Sequence, residues 1–300
     1  MLSVVITQIF NGFSLGSILL FVAIGLAVTF GLMGVINMAH GELIMVGAYM
    51  TYVVQQIFSK YAPQALEYYF FAAIPAAFFV SALLGWGLEQ LLIRHLYHRP
   101  LDSLLATWGV SLILQQIVRI IFGAPNVAVL PPGWLDGGIR VAGAVFPYKR
   151  LFILAFVILS IFALYVYLTK TPVGRRIRAV TLNRDMASCL GISTRKVDAY
   201  AFAIGSGFAG LAGCALTLLG PIGPTIGTYY IVDAFMVVIL GGIGKLIGTV
   251  LGAFGIGLVS TLMEYSTSAT IAKVIMFALI IAFLQWKPSG LVSMKTRSLD

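Results

Sequence analysis

Gly31 to Met50 reads GLMGVINMAHGELIMVGAYM, and this stretch decides the kind of fold. A hydrophobic run of membrane length passes straight into Asn37, His40 and Glu42 and then turns apolar again. In hydrocarbon an unpaired polar or charged group costs several kcal/mol, so these side chains must face protein or water and not lipid. Two arrangements meet that demand. In one the stretch lines a polar path; in the other it is a tight turn at the membrane surface, with Asn37 and Glu42 capping helices. Gly34 and Gly41 suit both, because glycine allows close backbone approach as well as helix ends.

The rest of the chain fits the same setting. With 60% hydrophobic and 10% charged residues and a mean hydropathy of +1.01, its 300 residues lie outside the range of soluble globular domains. Apolar runs recur along the whole length, which implies one polytopic helical membrane domain over residues 1–300 and no separable soluble domain. The net charge of +9 collects between apolar segments, where orientation in the membrane explains it and nucleic-acid binding does not. Cys189 and Cys214 have no metal-ligand spacing, and Cys214 reads as a small packing residue. The first residues lack a basic region followed by a small-residue cleavage site, so the chain is expected to enter its first helix directly.

In order, Val4–Met33 spans, with Asn11, Gly12, Ser14, Gly16 and Ser17 forming a small-residue face suited to helix packing. Leu43–Phe58 and Tyr68–Ile93 follow, the latter carrying Pro75 and ending in the basic turn Arg94–Pro100. His95 and His98 have no third ligand nearby and read as solvated residues of that turn. After Leu104–Phe122, the Gly- and Pro-rich segment 123–150 excludes a long helix and predicts an ordered external loop, with Trp134 at the interface. Leu151–Leu168 spans again. Residues 170–198 then carry Arg175, Arg176, Arg178, Arg184, Arg195 and Lys196, which makes the segment cytoplasmic. Ala199–Leu219 is threaded with glycine, and Gly220-Pro221-Ile222-Gly223-Pro224 stops it. Ile231–Leu240 is too short to cross about 30 Å of hydrocarbon at about 1.5 Å per residue, so a broken helix is expected, interrupted at Gly241–Lys245. Leu246–Leu262 and Ile271–Trp286 complete eight or nine membrane segments. Lys287, Lys295 and Arg297 make the tail cytoplasmic, and parity places the first residues outside.

Gly41-Glu42-Leu43-Ile44 with Gly47-Ala48-Tyr49 echoes Gly244-Lys245-Leu246-Ile247 with Gly252-Ala253-Phe254. Paired interrupted segments in two halves of a chain are the mark of repeat-built transporters, often inverted, so an internal repeat is expected here. On that reading Asn37, His40 and Glu42 on one side and Gly241, Gly242 and Lys245 on the other form two helix breaks beside a path, with Glu42 and Lys245 in opposition.

Three motifs carry a resemblance. Ile36-Asn37-Met38-Ala39-His40-Gly41-Glu42, the segment Thr171–Ala179 with Ala187 and Gly191-Ile192, and Val238–Gly244 with Gly248-Thr249 resemble the permease subunits of branched-chain amino acid type ABC importers over nearly the whole chain. Within that family Thr107–Leu112, Phe122–Val127 and Tyr230–Val238 look more like the urea branch than the leucine, isoleucine and valine branch. The long N-terminal extension of some urea permeases is lacking.

The resemblance implies a heteromeric importer built from this chain, a second homologous permease, two cytoplasmic ATP-binding subunits and an extracytoplasmic substrate-binding protein. ATP and Mg would bind the partner ATPases, with no cofactor in this chain. The sequence carries no Gly-x-x-x-x-Gly-Lys-Ser/Thr phosphate loop, and no nucleophile, base and orienting acid assemble from its three histidines, which argues against an enzyme. A neutral solute such as urea needs hydroxyls and amides along its path, which singles out Asn37, Thr107, Ser111 and Thr228, with His40 and Glu42 paired behind them. A passive channel would not need the long basic loop, and an ion-coupled transporter would place more acids inside its spans. Residues 170–198 are expected to dock on the ATPases through a helix opened by Pro172, with Met186, Ala187 and Leu190 on one face of Val180–Leu190 and Gly191 as its stop. Gly174, Arg175, Arg178, Ala187 and Gly191 are the coupling residues this implies.

Overall fold

Helices form wherever the apolar runs are long. The computed structural model describes residues 2–97, 99–141 and 144–292, and these hold α1 (Leu2–Met33), α2 (His40–Tyr61), α3 (Tyr69–Leu91), α4 (Pro100–Phe122), β1 (Gly138–Val141), β2 (Ala144–Pro147), α5 (Tyr148–Lys170), α6 (Pro172–Leu182), α7 (Arg184–Cys189), α8 (Thr194–Leu216), α9 (Ile226–Gly241), α10 (Leu246–Ser266) and α11 (Ala269–Trp286). Seven of them, α1, α3, α4, α5, α8, α10 and α11, are long and apolar enough to cross a membrane. With α2 and α9 packed among them, the bundle has nine long segments, where eight or nine were expected. The chain is a polytopic helical membrane protein. His98, Lys295 and Arg297 lie outside the described residues; His95 is exposed, as expected of a turn.

α8 is the centre of the bundle, and its glycines explain how. A Cβ on Gly205 would meet the Gly25 backbone of α1, one on Gly210 would meet Ala77 and Ser81 of α3, and one on Gly213 would strike the α2 backbone at Ile44. Each glycine removes the side chain that would hold a neighbouring helix away. The expected small-residue face of α1 does the same against α10, where Gly12 and Gly16 meet Leu258 and Phe254.

The packing repeats. α3 lies along α8 as α10 lies along α1, and α2 crosses α8 as α9 crosses α1, while α2 and α9 cross each other. α1–α3 and α8–α10 are therefore two like units. Met33 at the end of α1 and Phe202 near the start of α8 share one apolar cluster, so the two helices run in opposite senses. The correspondence corrects the one read from sequence: α2 matches α9, not the start of α10 at Gly244.

The segment after α4 is ordered as a short hairpin, with Gly138 opposite Pro147. It is pinned to the α2–α3 connection: Trp134 Nε1 donates to the Glu67 carbonyl at 3.0 Å, and the Leu130 carbonyl accepts from Gln55 Nε2 at 2.8 Å and from the Tyr69 hydroxyl at 2.7 Å.

Within residues 170–198 the expected continuous helix Val180–Leu190 is broken. Asn183 adopts an extended backbone (φ −156°, ψ 105°), ends α6, and caps α7 by accepting from the Met186 N–H at 2.9 Å. An asparagine competes with the helix through this local bond, which is why the chain turns there. Gly191 does stop the segment, at φ +78°.

Candidate functional site

Glu42 sits in the first turn of α2, 1% exposed, in the middle of the protein. One carboxylate oxygen, Oε1, gathers three donors from two other helices. Ser111 Oγ and Gln115 Nε2 of α4 each donate at 2.8 Å, and Thr228 Oγ1 of α9 approaches to 3.4 Å. Gln115 Nε2 also lies 3.0 Å from Thr228 Oγ1 and 3.3 Å from Ser111 Oγ, so the four side chains form one connected group.

Backbone geometry makes the meeting possible. Gly41 and Gly227 face each other at the starts of α2 and α9, and a Cβ on either would strike the other's carbonyl. Both helices begin inside the bundle: the His40 ring packs against Gly25, well short of the end of α1 at Met33. Two N-termini, each with unpaired N–H groups and the positive end of its dipole, thus converge where the carboxylate is buried. That field offsets part of the cost of holding negative charge there.

The connection ahead of α2 is built to turn. Gly34 takes φ +63°, Asn37 Oδ1 accepts from the Ala39 N–H at 3.0 Å, and the Met38 N–H donates to Thr107 Oγ1 at 3.1 Å. Thr107 lies one helical turn before Ser111 on α4, so the turn and the carboxylate hang on the same helix.

Polar capacity is left over. Among the described residues, seven buried side-chain N or O atoms lack a geometric hydrogen-bond partner, and two of these, Asn37 Nδ2 and Glu42 Oε2, belong to this site. Buried polar groups are nearly always bonded, so these two atoms mark a place for water or a polar solute. Thr228 is exposed, which means that the group opens to the surface of the bundle on the α9 side.

The structure thus brings together Glu42, Ser111 and Thr228, and places Asn37 and Thr107 one step away. Gln115, absent from the expected set, is at its centre. A helical spacing of four from Ser111 was its signal in the sequence. Two expectations are corrected. His40 does not pair with Glu42; its ring turns to α1 because α2 is crossed there by Gly25. Gly241, Gly242 and Lys245 do not oppose Glu42 either. Gly241 packs on the Gly248 backbone, Gly242 (φ +100°) faces the Ser289 and Val292 carbonyls, and the Val292 N–H donates to the Gly241 carbonyl at 3.3 Å. This break is held under the segment after α11, away from the carboxylate.

In residues 170–198, Gly174 and Ala187 are buried while Arg175, Arg178 and Gly191 are exposed. Gly174 lies against the Tyr167 and Leu168 backbone, and Ala187 packs with Ile177, Val180, Val197 and Ala201. Met186 (59% exposed) and Leu190 (75%) face outward, so they do not share the face of Ala187 as the helical spacing suggested. The break at Asn183 resets the phase.

A carboxylate with hydroxyl and amide partners at paired helix starts, inside a bundle of two inverted units, is the geometry of a membrane transporter. A family model described as the permease component of branched-chain amino acid transport systems matches residues 8–284. The chain belongs to this permease family. It is 31% identical over 291 residues, 95% of this chain and 94% of the relative, to the high-affinity branched-chain amino acid transport permease LivH of Salmonella typhimurium. The corresponding protein BraD of Pseudomonas aeruginosa is 29% identical over 290 residues, 95% of this chain and 94% of its own. The ribose import permease RbsC of Haemophilus influenzae is more distant, at 26% over 226 residues, 72% of this chain and 68% of the relative. No solved structure matches the chain. Membership makes the apolar helices those of a multi-pass inner-membrane permease. It does not support the narrower resemblance to the urea branch, since these relatives are named for branched-chain amino acids and ribose.

Proposed function

We propose that this chain is the permease subunit of a binding-protein-dependent ABC importer for a small polar nitrogenous solute, with branched-chain amino acids as the solute class its relatives favour. The observation that carries the reading is the Glu42 group, a buried carboxylate with spare acceptor capacity that is open toward the bundle surface at Thr228. A path opening on that surface is completed by a second, homologous permease. Two cytoplasmic ATPases bind ATP and Mg, and an external binding protein delivers the solute.

Docking of the ATPases falls to 170–198. Leu182, Met186 and Leu190 are large apolar side chains exposed beside Arg175 and Arg178. Apolar groups exposed on the water-facing side of a membrane protein mark an interaction surface. Gly191 keeps the rim of this surface low.

Urea is the second reading. The side chains around Glu42 are hydroxyls and an amide, suited to a solute that is all donors and one carbonyl, and the Phe122–Val127 and Tyr230–Val238 stretches resemble urea permeases. One experiment separates the two. The complex of this chain with its partner subunits is reconstituted in proteoliposomes, and ATP-dependent uptake of radiolabelled leucine and urea is measured with the binding protein present. Leucine uptake supports the first reading and urea uptake alone the second. Conduction by this chain without ATP would make it a passive channel and overturn both.

A further inference from the structure

We infer that Arg184 and Tyr97 form a positioning relay that carries movement of the cytoplasmic segment to the hinge ahead of Glu42. This rests on the proposed role of 170–198 in docking the ATPases.

The relay starts where α7 starts. The Arg184 guanidinium donates to both oxygens of Asp198 on α8, a carboxylate with no exposure, and at the same time lies over the Tyr97 ring, 5.3 Å from its centroid. A flat guanidinium can pair with a carboxylate and stack on an aromatic face together, which an ammonium cannot do as well. α7 is therefore locked to α8 and to the turn between α3 and α4 through one side chain.

Tyr97 passes the contact on. Its hydroxyl lies 3.1 Å from Glu89 Oε1 of α3 and 3.7 Å from Met33 Sδ, the last residue of α1. Burial first, and then the Asp198 and Glu89 carboxylates, push this phenol above its ordinary range, so it stays a donor to Glu89. Glu89 is itself held by Gln90 Nε2 at 3.1 Å, and Gln90 by Arg94 at 3.0 Å. Beneath the ring a small apolar cluster of Val35, Ile93 and Phe202 is packed by Met33, Leu88 and Tyr97. Val35 belongs to the connection between α1 and α2, directly after Gly34 with its left-handed φ of +63° and two residues before Asn37.

Contact is thus unbroken from the start of α7 to the glycine about which α2 can pivot. Such a chain gives a rigid-body shift of the docked segment a route to the carboxylate group, which is buried inside the bundle. A loop that merely oriented the protein in the membrane would need neither a buried Asp198 nor a tyrosine bridging two helices.

The test uses the reconstituted complex with its binding protein and compares Tyr97→Phe, Glu89→Gln and the double variant. Tyr97→Phe keeps the ring under Arg184 but removes the hydroxyl. The readout is solute moved per ATP hydrolysed, taken alongside pull-down of the ATPases. With docking unchanged, the relay predicts that binding-protein-stimulated ATP turnover continues while solute per ATP falls about fivefold or more, the size of typical coupling between sites. Glu89→Gln keeps a carbonyl acceptor for the Tyr97 hydroxyl and should lower the ratio less than Tyr97→Phe does, and adding it to Tyr97→Phe should cost nothing further through that contact. An unchanged ratio in Tyr97→Phe overturns the relay. So does failure of all three variants to assemble, which would make the cluster a folding element only. If the wild-type complex binds no ATPase at all, the docking reading fails instead, and that is seen before any variant is made.

Discussion

Replacing Glu42 by Gln and by Leu separates structure from transport. In the Gln variant an amide oxygen takes the place of Oε1, so Ser111 and Gln115 keep an acceptor at 2.8 Å. Bonds to a charged acceptor are worth about 1.5–3 kcal/mol and neutral ones about 0.5–1.5, so the two bonds together lose about 2 kcal/mol. Against this, a buried charge no longer has to be desolvated, a gain of several kcal/mol. Net stability should be unchanged or slightly higher. In the Leu variant the buried Ser111 hydroxyl loses its acceptor, at about 1–3 kcal/mol, while Gln115 Nε2 keeps Thr228 Oγ1 at 3.0 Å. That variant should lose about 1–3 kcal/mol and melt earlier in detergent. Transport ranks the two differently. If the carboxylate holds the passing solute through a charge-assisted bond, its loss removes about 1.5 kcal/mol of binding in the path, so uptake by the stable Gln variant falls about tenfold. Uptake at the wild-type rate by a Gln variant that melts normally would refute the placement of Glu42 in the path.

Other outcomes follow from the same geometry. Gly41→Ala or Gly227→Ala drives a methyl group into the facing carbonyl and should destabilise by about 1–3 kcal/mol, seen as a lowered melting temperature of the detergent-solubilised protein. Arg184→Ala leaves the Asp198 carboxylate buried without its partner, and thermal unfolding should register a loss of about 3–5 kcal/mol; a loss below about 1 kcal/mol would show that water replaces the guanidinium. Met186→Glu with Leu190→Glu puts charge on exposed positions, so the permease should melt as wild type while ATPase pull-down is abolished; retained pull-down would move the dock elsewhere. Gly241→Leu meets the Gly248 backbone and should act through stability and not through solute selectivity, which comparison of uptake per folded complex would reveal.

The bundle was legible because hydrocarbon leaves so few solutions. Runs such as Val4–Gly31 and Leu246–Ser266 are helices by necessity, and the shortness of α9 followed from its length alone. The polar residues of the opening stretch were legible for the same reason, since Glu42 in apolar sequence had to find partners. Which partners it finds is a matter of crossing angles. Ser111 and Gln115 lie 69 and 73 residues from Glu42, and only the glycine contact between the starts of α2 and α9 brings Thr228 within reach. Gln115 was missed because a glutamine in an amphipathic helix resembles a surface residue until the neighbouring helix is known. The Gly241–Lys245 break was read as part of the path because glycine signals a break without saying where the break lies. Its position was fixed by Leu291 and Val292, whose N–H groups cap the carbonyls of Leu240 and Gly241 at the end of α9, and no local pattern in those two residues announces that role. The echo between Gly41 and Gly244 failed similarly. It compared two glycine-rich starts, whereas the true repeat is in the direction and packing of α1–α3 and α8–α10, which sequence records only as apolar runs of similar length. The arrangement of the polar site is thus a property of how two inverted units cross, and a sequence holds that information only in its close-packing glycines.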